Sequence, residues 1–272
     1  MKIATWNVNS LRVRLDHLLQ WLQDNPVDVL GLQETKLVDA KFPVEAIEQA
    51  GYHVVFSGQP TYNGVALLCR QDTVGEPTQV TVGNPLFDDQ QQRLITATCN
   101  GIRITCAYVP NGQAVDSEKY EYKLRWLDSL TQWLDQGAGD PGKPKILLGD
   151  FNIAPDDRDV HDANFWTDKI LCSAPERERY QNLLNLGLID SFRLFEQEER
   201  SFSWWDYRQQ GFRRNAGLRI DLVLVDQRLR DKVLASDIDK TPRRLEKPSD
   251  HAPAICTLAP CSDRSQSASL SS

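Results

Sequence analysis

Two periodicities run along the chain. Leu11, Leu15, Leu18, Leu19 and Leu22 recur at three- and four-residue intervals, the spacing of one helix face, with Ser10 placed to cap its start and Pro26 just past its end. Tyr120, Leu124, Leu127, Leu130 and Leu134 share a second face, ended by the glycines and prolines of 136–144. Residues 176–186 read as a further helix. Short apolar or β-rich runs lie between, at 2–8, 28–34, 64–70, 80–83, 145–149, 218–225 and 252–258. The run at 28–34 has the pattern of a strand covered on both faces. "RLITATC" and "IRITCAYV" flank Asn100 and Gly101, a strong hairpin signal. Strands and helices mix without strict βαβ alternation. No repeat or linker divides them, so one domain is expected over 1–259. The tail, 260–272, is rich in serine and is expected to be disordered.

Composition narrows the class. Of 272 residues, 40% are hydrophobic, enough for a substantial core. Apolar runs stay far short of the ~20 residues of a membrane helix, and the N-terminus turns polar at once, unlike a secretory signal. A cytoplasmic protein with no membrane partner is expected. Six cysteines occur without a CxxC pair, which fits a reducing compartment and no zinc site. The net charge is −7, yet Arg200 to Lys247 holds 12 basic and 7 acidic residues, a local +5 that leaves −12 elsewhere. Such a window can form a phosphate-binding face on an acidic protein, although charge alone favours a solvated, charged surface.

The polar residues are informative by position. Apolar strands repeatedly end in oxygen- or nitrogen-bearing side chains: Asn7 and Asn9, Gln33 and Glu34, Tyr108 and Asn111, Asp150 and Asn152, with Asp250 and His251 just before the last strand. Asp221 falls within an apolar run, where a carboxylate needs a partner. Alone, each has an ordinary explanation as a turn residue or a satisfied core group. As a set they do not, because every desolvated polar group carries an energetic cost. Oxygen ligands without clustered cysteine or histidine favour Mg²⁺, with Mn²⁺ able to substitute, over zinc. A metal, a carboxylate base and an imidazole suit phosphoester cleavage.

The stretches "WNVNSLR", "LGLQETK", "GVALL", "YVPNG", "LLGDFNIAP", "RIDLVL" and "EKPSDHAP", spread in that order over nearly the whole chain, closely resemble the exonuclease III family of apurinic/apyrimidinic (AP) endonucleases. That family lies within the endonuclease/exonuclease/phosphatase superfamily, which includes deoxyribonuclease I. The resemblance implies a four-layer α/β sandwich, two mixed β-sheets face to face with helices outside, and an active site at one edge.

It also implies roles. Glu34 corresponds to the principal metal carboxylate, with Asn7 beside it and Asp250 near the metal. Asp150 corresponds to the residue that orients or deprotonates water or protonates the leaving group. Asn152 and Tyr108 correspond to phosphate contacts, and His251 to an imidazole oriented by Asp221. Asn111 joins the substrate contacts. Trp204, Leu218 and Ile220 become candidate walls of a slot for a base-less sugar. Arg93, Arg208, Arg213, Arg214 and Lys247 become candidate phosphate contacts. The "YVPNG" loop departs from the "YFPQG" of the best-known bacterial members and has no basic residue before Lys119.

The implied function is a Mg²⁺-dependent, monomeric DNA-repair nuclease. It would cut 5′ to abasic sites in double-stranded DNA, leaving a 3′-hydroxyl, and act on 3′ ends as exonuclease and phosphatase. Two other readings stay open: a superfamily phosphatase or phosphodiesterase acting on inositol phosphates or lipids, and a non-catalytic regulator of the same fold that binds RNA or protein.

Overall fold

The computed structural model describes residues 1–260. Of the serine-rich tail expected to be disordered, 261–272 lies outside the described residues. The first half of the chain forms β1 (Lys2–Asn7), α1 (Leu11–Asp24), β2 (Val29–Gln33), α2 (Val44–Gln49), β3 (Tyr52–Ser57), β4 (Val65–Arg70), β5 (Thr78–Val82), β6 (Leu94–Cys99), β7 (Ile102–Tyr108) and α3 (Glu118–Asp135). Then come β8 (Lys145–Asp150), α4 (Ala163–Trp166), α5 (Ala174–Asn185), β9 (Leu188–Asp190), β10 (Trp204–Trp205), β11 (Gly217–Leu218), β12 (Asp221–Asp226), β13 (Val233–Ile238) and β14 (Ala254–Leu258).

Two six-stranded sheets result, ordered β13-β14-β1-β2-β4-β3 and β5-β6-β7-β8-β12-β9. Both are mixed: β1 with β2 and β7 with β8 run parallel, among antiparallel neighbours. Alternation of side chains along each strand builds the layers. Ile3, Val29, Leu67, Ile104, Leu148 and Val223 pack between the sheets. On the opposite faces, Trp6, Leu30 and Leu68 pack with Leu18 and Leu22 of α1. Leu147 and Leu224 pack with Leu127 and Leu130 of α3 and Leu183 of α5. This is the expected four-layer sandwich. Close approach of the sheets is set by Gly31, where a Cβ would lie 2.2 Å from Leu148 Cδ1.

Most expected elements form, including the hairpin at Asn100 and Gly101, both with positive φ. Among the described residues no helix is long and apolar enough to cross a membrane. Cys69, Cys99, Cys106, Cys172 and Cys256 are buried and free; Cys261 lies outside the described residues. Two expectations change. Ser10 has φ 87° and its side chain makes no capping bond. The start of α1 is instead tied to the end of β2, Ser10 N donating to Glu34 O at 2.8 Å and Leu11 N to Thr35 O at 3.0 Å. The run 218–225 is not one strand but β11 and β12, broken at Arg219 and Ile220.

The break has an electrostatic cause. Arg219 is buried, its Nε donating to Asp159 Oδ1 at 2.6 Å and its Nη2 to Asp190 Oδ2 at 2.7 Å. Both carboxylates are buried too. Removing the guanidinium would take the cation from buried Asp190 and leave buried Asp159 with only the partly exposed Arg193. Arg219→Met is therefore expected to destabilise the protein by about 3–5 kcal/mol. Urea denaturation measures this; a change within about 1 kcal/mol, the scale of an exposed pair, would show the network to be dispensable.

Candidate active site and metal centre

The same alternation that builds the core delivers the site. Inner-face positions run Ile3–Thr5–Asn7 on β1, Ile104–Cys106–Tyr108 on β7, Ile146–Leu148–Asp150 on β8, and Asp221–Val223–Val225 on β12. Strand register places Tyr108 opposite Asp150, and Asp150 opposite Asp221. Thus several inner faces turn polar at the same end of the sandwich. Gln33, the matching position on β2, donates to Thr5 Oγ1 at 2.9 Å and Cys106 Sγ at 3.1 Å, forming a floor beneath the site.

Loops supply the remaining groups through uncommon backbone. Glu34, Asn9 and Asn152 have φ of 52°, 43° and 47°, the left-handed region that side-chain-bearing residues rarely occupy. Immediately before Asp150, Gly149 has φ 149°, and a Cβ there would lie 1.8 Å from Ala107 O. The residue before the catalytic candidate must therefore be glycine.

Asn7 Nδ2 sits between two carboxylates, donating to Glu34 Oε1 at 2.8 Å and Asp150 Oδ2 at 2.9 Å. Tyr108 OH donates to Glu34 Oε1 at 2.9 Å, and Lys36 Nζ pairs with Glu34 Oε2 at 2.8 Å. Asn152 N donates to Asp150 Oδ1 at 2.9 Å, and Asn111 Nδ2 to Asn152 Oδ1 at 3.2 Å. His251 Nδ1 donates to Asp221 Oδ2 at 2.9 Å, while its Nε2 faces Asp150 Oδ2 at 3.7 Å. Ser203 Oγ donates to Asp221 Oδ2 at 2.7 Å and fixes that carboxylate.

Burial separates the charges of this cluster. Burial is the main force raising the Asp150 carboxyl to about 7; the His251 imidazole opposes it and the Asp221 charge adds to it. For His251, burial favours the neutral ring, but Asp221 and Asp150 outweigh it and lift the imidazole to about 10. At neutral pH His251 is thus a fixed imidazolium beside a carboxyl poised between its two states. Burial, with the neighbouring charges of Glu34 and Asp150, pushes the Tyr108 phenol well above its usual range, so it remains a neutral donor.

The residues present fit a hard divalent cation. Glu34, Asp150 and His251 each offer a ligand atom within 4.8 Å of the others. Because the ring is protonated, the carboxylates are the natural holders. Asn7, expected beside a metal, turns its amide nitrogen to the carboxylates, and its Oδ1 accepts from Asn9 N at 3.0 Å. Here it spaces the two carboxylates apart. Asp250 lies at the rim, accepting from Asn9 Nδ2 at 2.9 Å and Trp204 Nε1 at 2.9 Å.

The other expected contacts divide. Arg93 lies 4.7 Å over the Tyr108 ring, in a groove of about 680 Å³ also lined by Glu34, Lys36, Tyr62, Asn111 and Lys119. Arg208 does not join the cluster: it is exposed and doubly bonded to Asp206, two residues away. Leu218 and Ile220 are fully buried with Ala154, Val160, Leu171 and Cys172, so they back a wall rather than face a ligand. Of the expected wall, Trp204 alone keeps exposed surface, packed beside half-buried Trp166 and Ile170. Trp166, Lys36, Ser203 and Lys123 were not anticipated. Lys123 had a legible signal, a charged residue on the apolar face of α3 between Tyr120 and Leu127.

Fold and site together define a phosphoesterase sandwich, and residues 4–251 match the endonuclease/exonuclease/phosphatase family model. The chain belongs to that family, in its exonuclease III branch. It is 38% identical to an exodeoxyribonuclease III of Haemophilus influenzae, across 93% of this chain and 98% of that one. Among solved structures it is similar to a 3′ phosphatase from Neisseria bound to product DNA hairpin, at 46% identity and a TM-score of 0.91, covering 95% of this chain and 99% of that one. An AP endonuclease from Archaeoglobus fulgidus matches at 38% identity and a TM-score of 0.89, covering 95% and 99%.

The raised Asp150 carboxyl makes a signed prediction for metal-free protein. A carboxyl whose folded value lies near 7, above its unfolded value, stabilises the fold while protonated and loses that contribution as pH rises through 7. The stability of the metal-free protein is therefore expected to fall between pH 5 and about 8, while that of Asp150→Asn stays flatter across the same window. Thermal melts across pH measure this; parallel profiles would contradict the assignment.

Proposed function

We propose that the protein is a Mg²⁺-dependent DNA-repair nuclease acting as a monomer on double-stranded DNA, with residues 1–259 as one catalytic unit in the cytoplasm. Its substrates are 3′ ends, as exonuclease and 3′-phosphatase, and the phosphodiester 5′ to an abasic site. The observation that carries this reading is Asp150, buried and bonded through Asn7 to Glu34, beside a charged His251 locked by Asp221. The names of the relatives, among them nucleases of DNA and an AP endonuclease, support the choice of substrate.

Glu34, with Asp150 near it, would hold the cation, which when bound neutralises charge on the phosphate and its leaving oxygen. The chain's own groups do the rest. Tyr108 OH and the Asn152 amide donate to phosphate oxygens, and the His251 Nε2–H donates to the charge that develops on phosphorus oxygens. Asp150 takes a proton from the attacking water as the P–O bond to the 3′ oxygen breaks. A carboxyl near neutrality can then return that proton to the departing oxygen, leaving a 3′-hydroxyl. Trp204, beside the site and backed by Leu218 and Ile220, would cover a sugar that carries no base.

Asp150→Ala is expected to lower kcat by roughly 10²–10⁴-fold on duplexes carrying a recessed 3′ end, a 3′-phosphate or one abasic site, with Mg²⁺ present and EDTA as control. Near-normal cleavage by that variant would sink the role of Asp150. Wild-type hydrolysis of phospholipid or inositol phosphate, with all three duplexes left intact, would replace the substrate assignment.

A further inference from the structure

Beneath the site lies an ion pair that the chemistry above does not use. Lys123 of α3 and Glu176 of α5 are both fully buried and paired. The ammonium has two further acceptors: Asn152 O at 2.7 Å and Asn111 O at 3.2 Å. Glu176 in turn accepts from Leu171 N at 3.1 Å, Ser173 N at 3.0 Å and Ser173 Oγ at 2.6 Å. Ser173 Oγ also meets Tyr120 OH at 2.7 Å.

We propose that Lys123 and Glu176 are a positioning pair, which sets Asn111 and Asn152 against Asp150 and ties them to the wall segment at Leu171 and Cys172. The inference rests on the nuclease reading of the site. Asn111 and Asn152 follow different strands, β7 and β8, and the single ammonium bridges their main-chain carbonyls. That bridge constrains Asn152 at a left-handed backbone position, where the turn has little intrinsic preference to stay. Fold support alone does not call for this arrangement, because buried ion pairs are commonly replaced by apolar residues of similar size without loss of stability. What an apolar pair cannot supply is the pair of directed donors on two loops, held in place by a third bond to Glu176. The same carboxylate that neutralises Lys123 also fixes Leu171, whose carbonyl accepts from Ala154 N at 2.8 Å, two residues past Asn152. One pair thus registers the phosphate contacts with the apolar wall.

The test compares wild type, the double variant Lys123→Met with Glu176→Met, and Glu176→Gln. The readouts are the melting temperature, kcat and KM on a recessed duplex, and the NMR shifts of the Asn152 and Asn111 side-chain amides without substrate. The double variant is expected to fold but to melt below wild type, because Asn111 O, Asn152 O and the N–H groups of Leu171 and Ser173 lose their partners, so it is assayed well below its own melting temperature. Its kcat should drop by roughly 10²-fold, the scale of a misplacement of about 1 Å, with little change in KM and with both asparagine amides shifted. Wild-type kcat and unshifted amides in a folded double variant would overturn the proposal. If that variant does not fold, Glu176→Gln decides, assayed well below its own melting temperature: a lowered kcat with shifted amides supports the pair, and unchanged values overturn it. Failure of the wild-type protein to cleave any duplex would count against the nuclease reading, while the amide shifts still decide the positioning.

Discussion

Everything at the site depends on keeping several ionisable groups in a place almost without water. Asp150, Asp221 and His251 are each at least nineteen-twentieths buried. Isolated, any of them would be driven to its neutral form. Together they partition: Asp221 and Asp150 hold the proton on His251, and Asp150 is left near its balance point. The neighbouring groups must then donate, which is why Asn7, Tyr108, Ser203 and the Asn152 amide all point hydrogens inward. Moving one member changes the protonation of the others, so the cluster behaves as one titrating unit.

The layers and the identities of the central residues were legible in the sequence for a simple reason. Inner strands in a four-layer sandwich are apolar on both faces, so a polar side chain at a strand end stands out against its run. Asn7, Tyr108, Asp150 and Asp221 were found that way, and the family motifs gave them roles. Elements with weaker contrast were missed. β3 carries His53 within a mixed pattern, and β13 is a half-exposed edge strand with polar Ser236 and Asp237. Both are edge strands, paired on one side only, to β4 and β14 respectively.

Supporting contacts were harder to read because loop and turn geometry, rather than strand pattern, makes them. Ser203 reaches Asp221 from the loop around β10, and Lys36 pairs with Glu34 only because the chain turns through left-handed positions between β2 and β3. Nothing local in "SFSWW" marks Ser203 as a partner. Leu218 and Ile220 show the opposite error. Their motif was recognised, but an apolar residue beside a site can lie one layer behind the surface that a ligand touches. Glu176 and Ser173 carry the spacing of a reciprocal helix cap, yet in the fold the same glutamate also neutralises Lys123.

The two-residue period of the inner faces also bears on how the protein behaves when it is made badly. A slip of β8 by one position against β7 would turn Asp150 toward the layer of α3 and bring Gly149 to the inner face. No partial site would survive, since Tyr108, Asp150 and Asp221 are aligned through the same two registers. Misassembled chains would have no residual activity to contribute. Specific activity in a preparation then counts correctly paired molecules, and it should decline in step with loss of native strand pairing during storage or refolding.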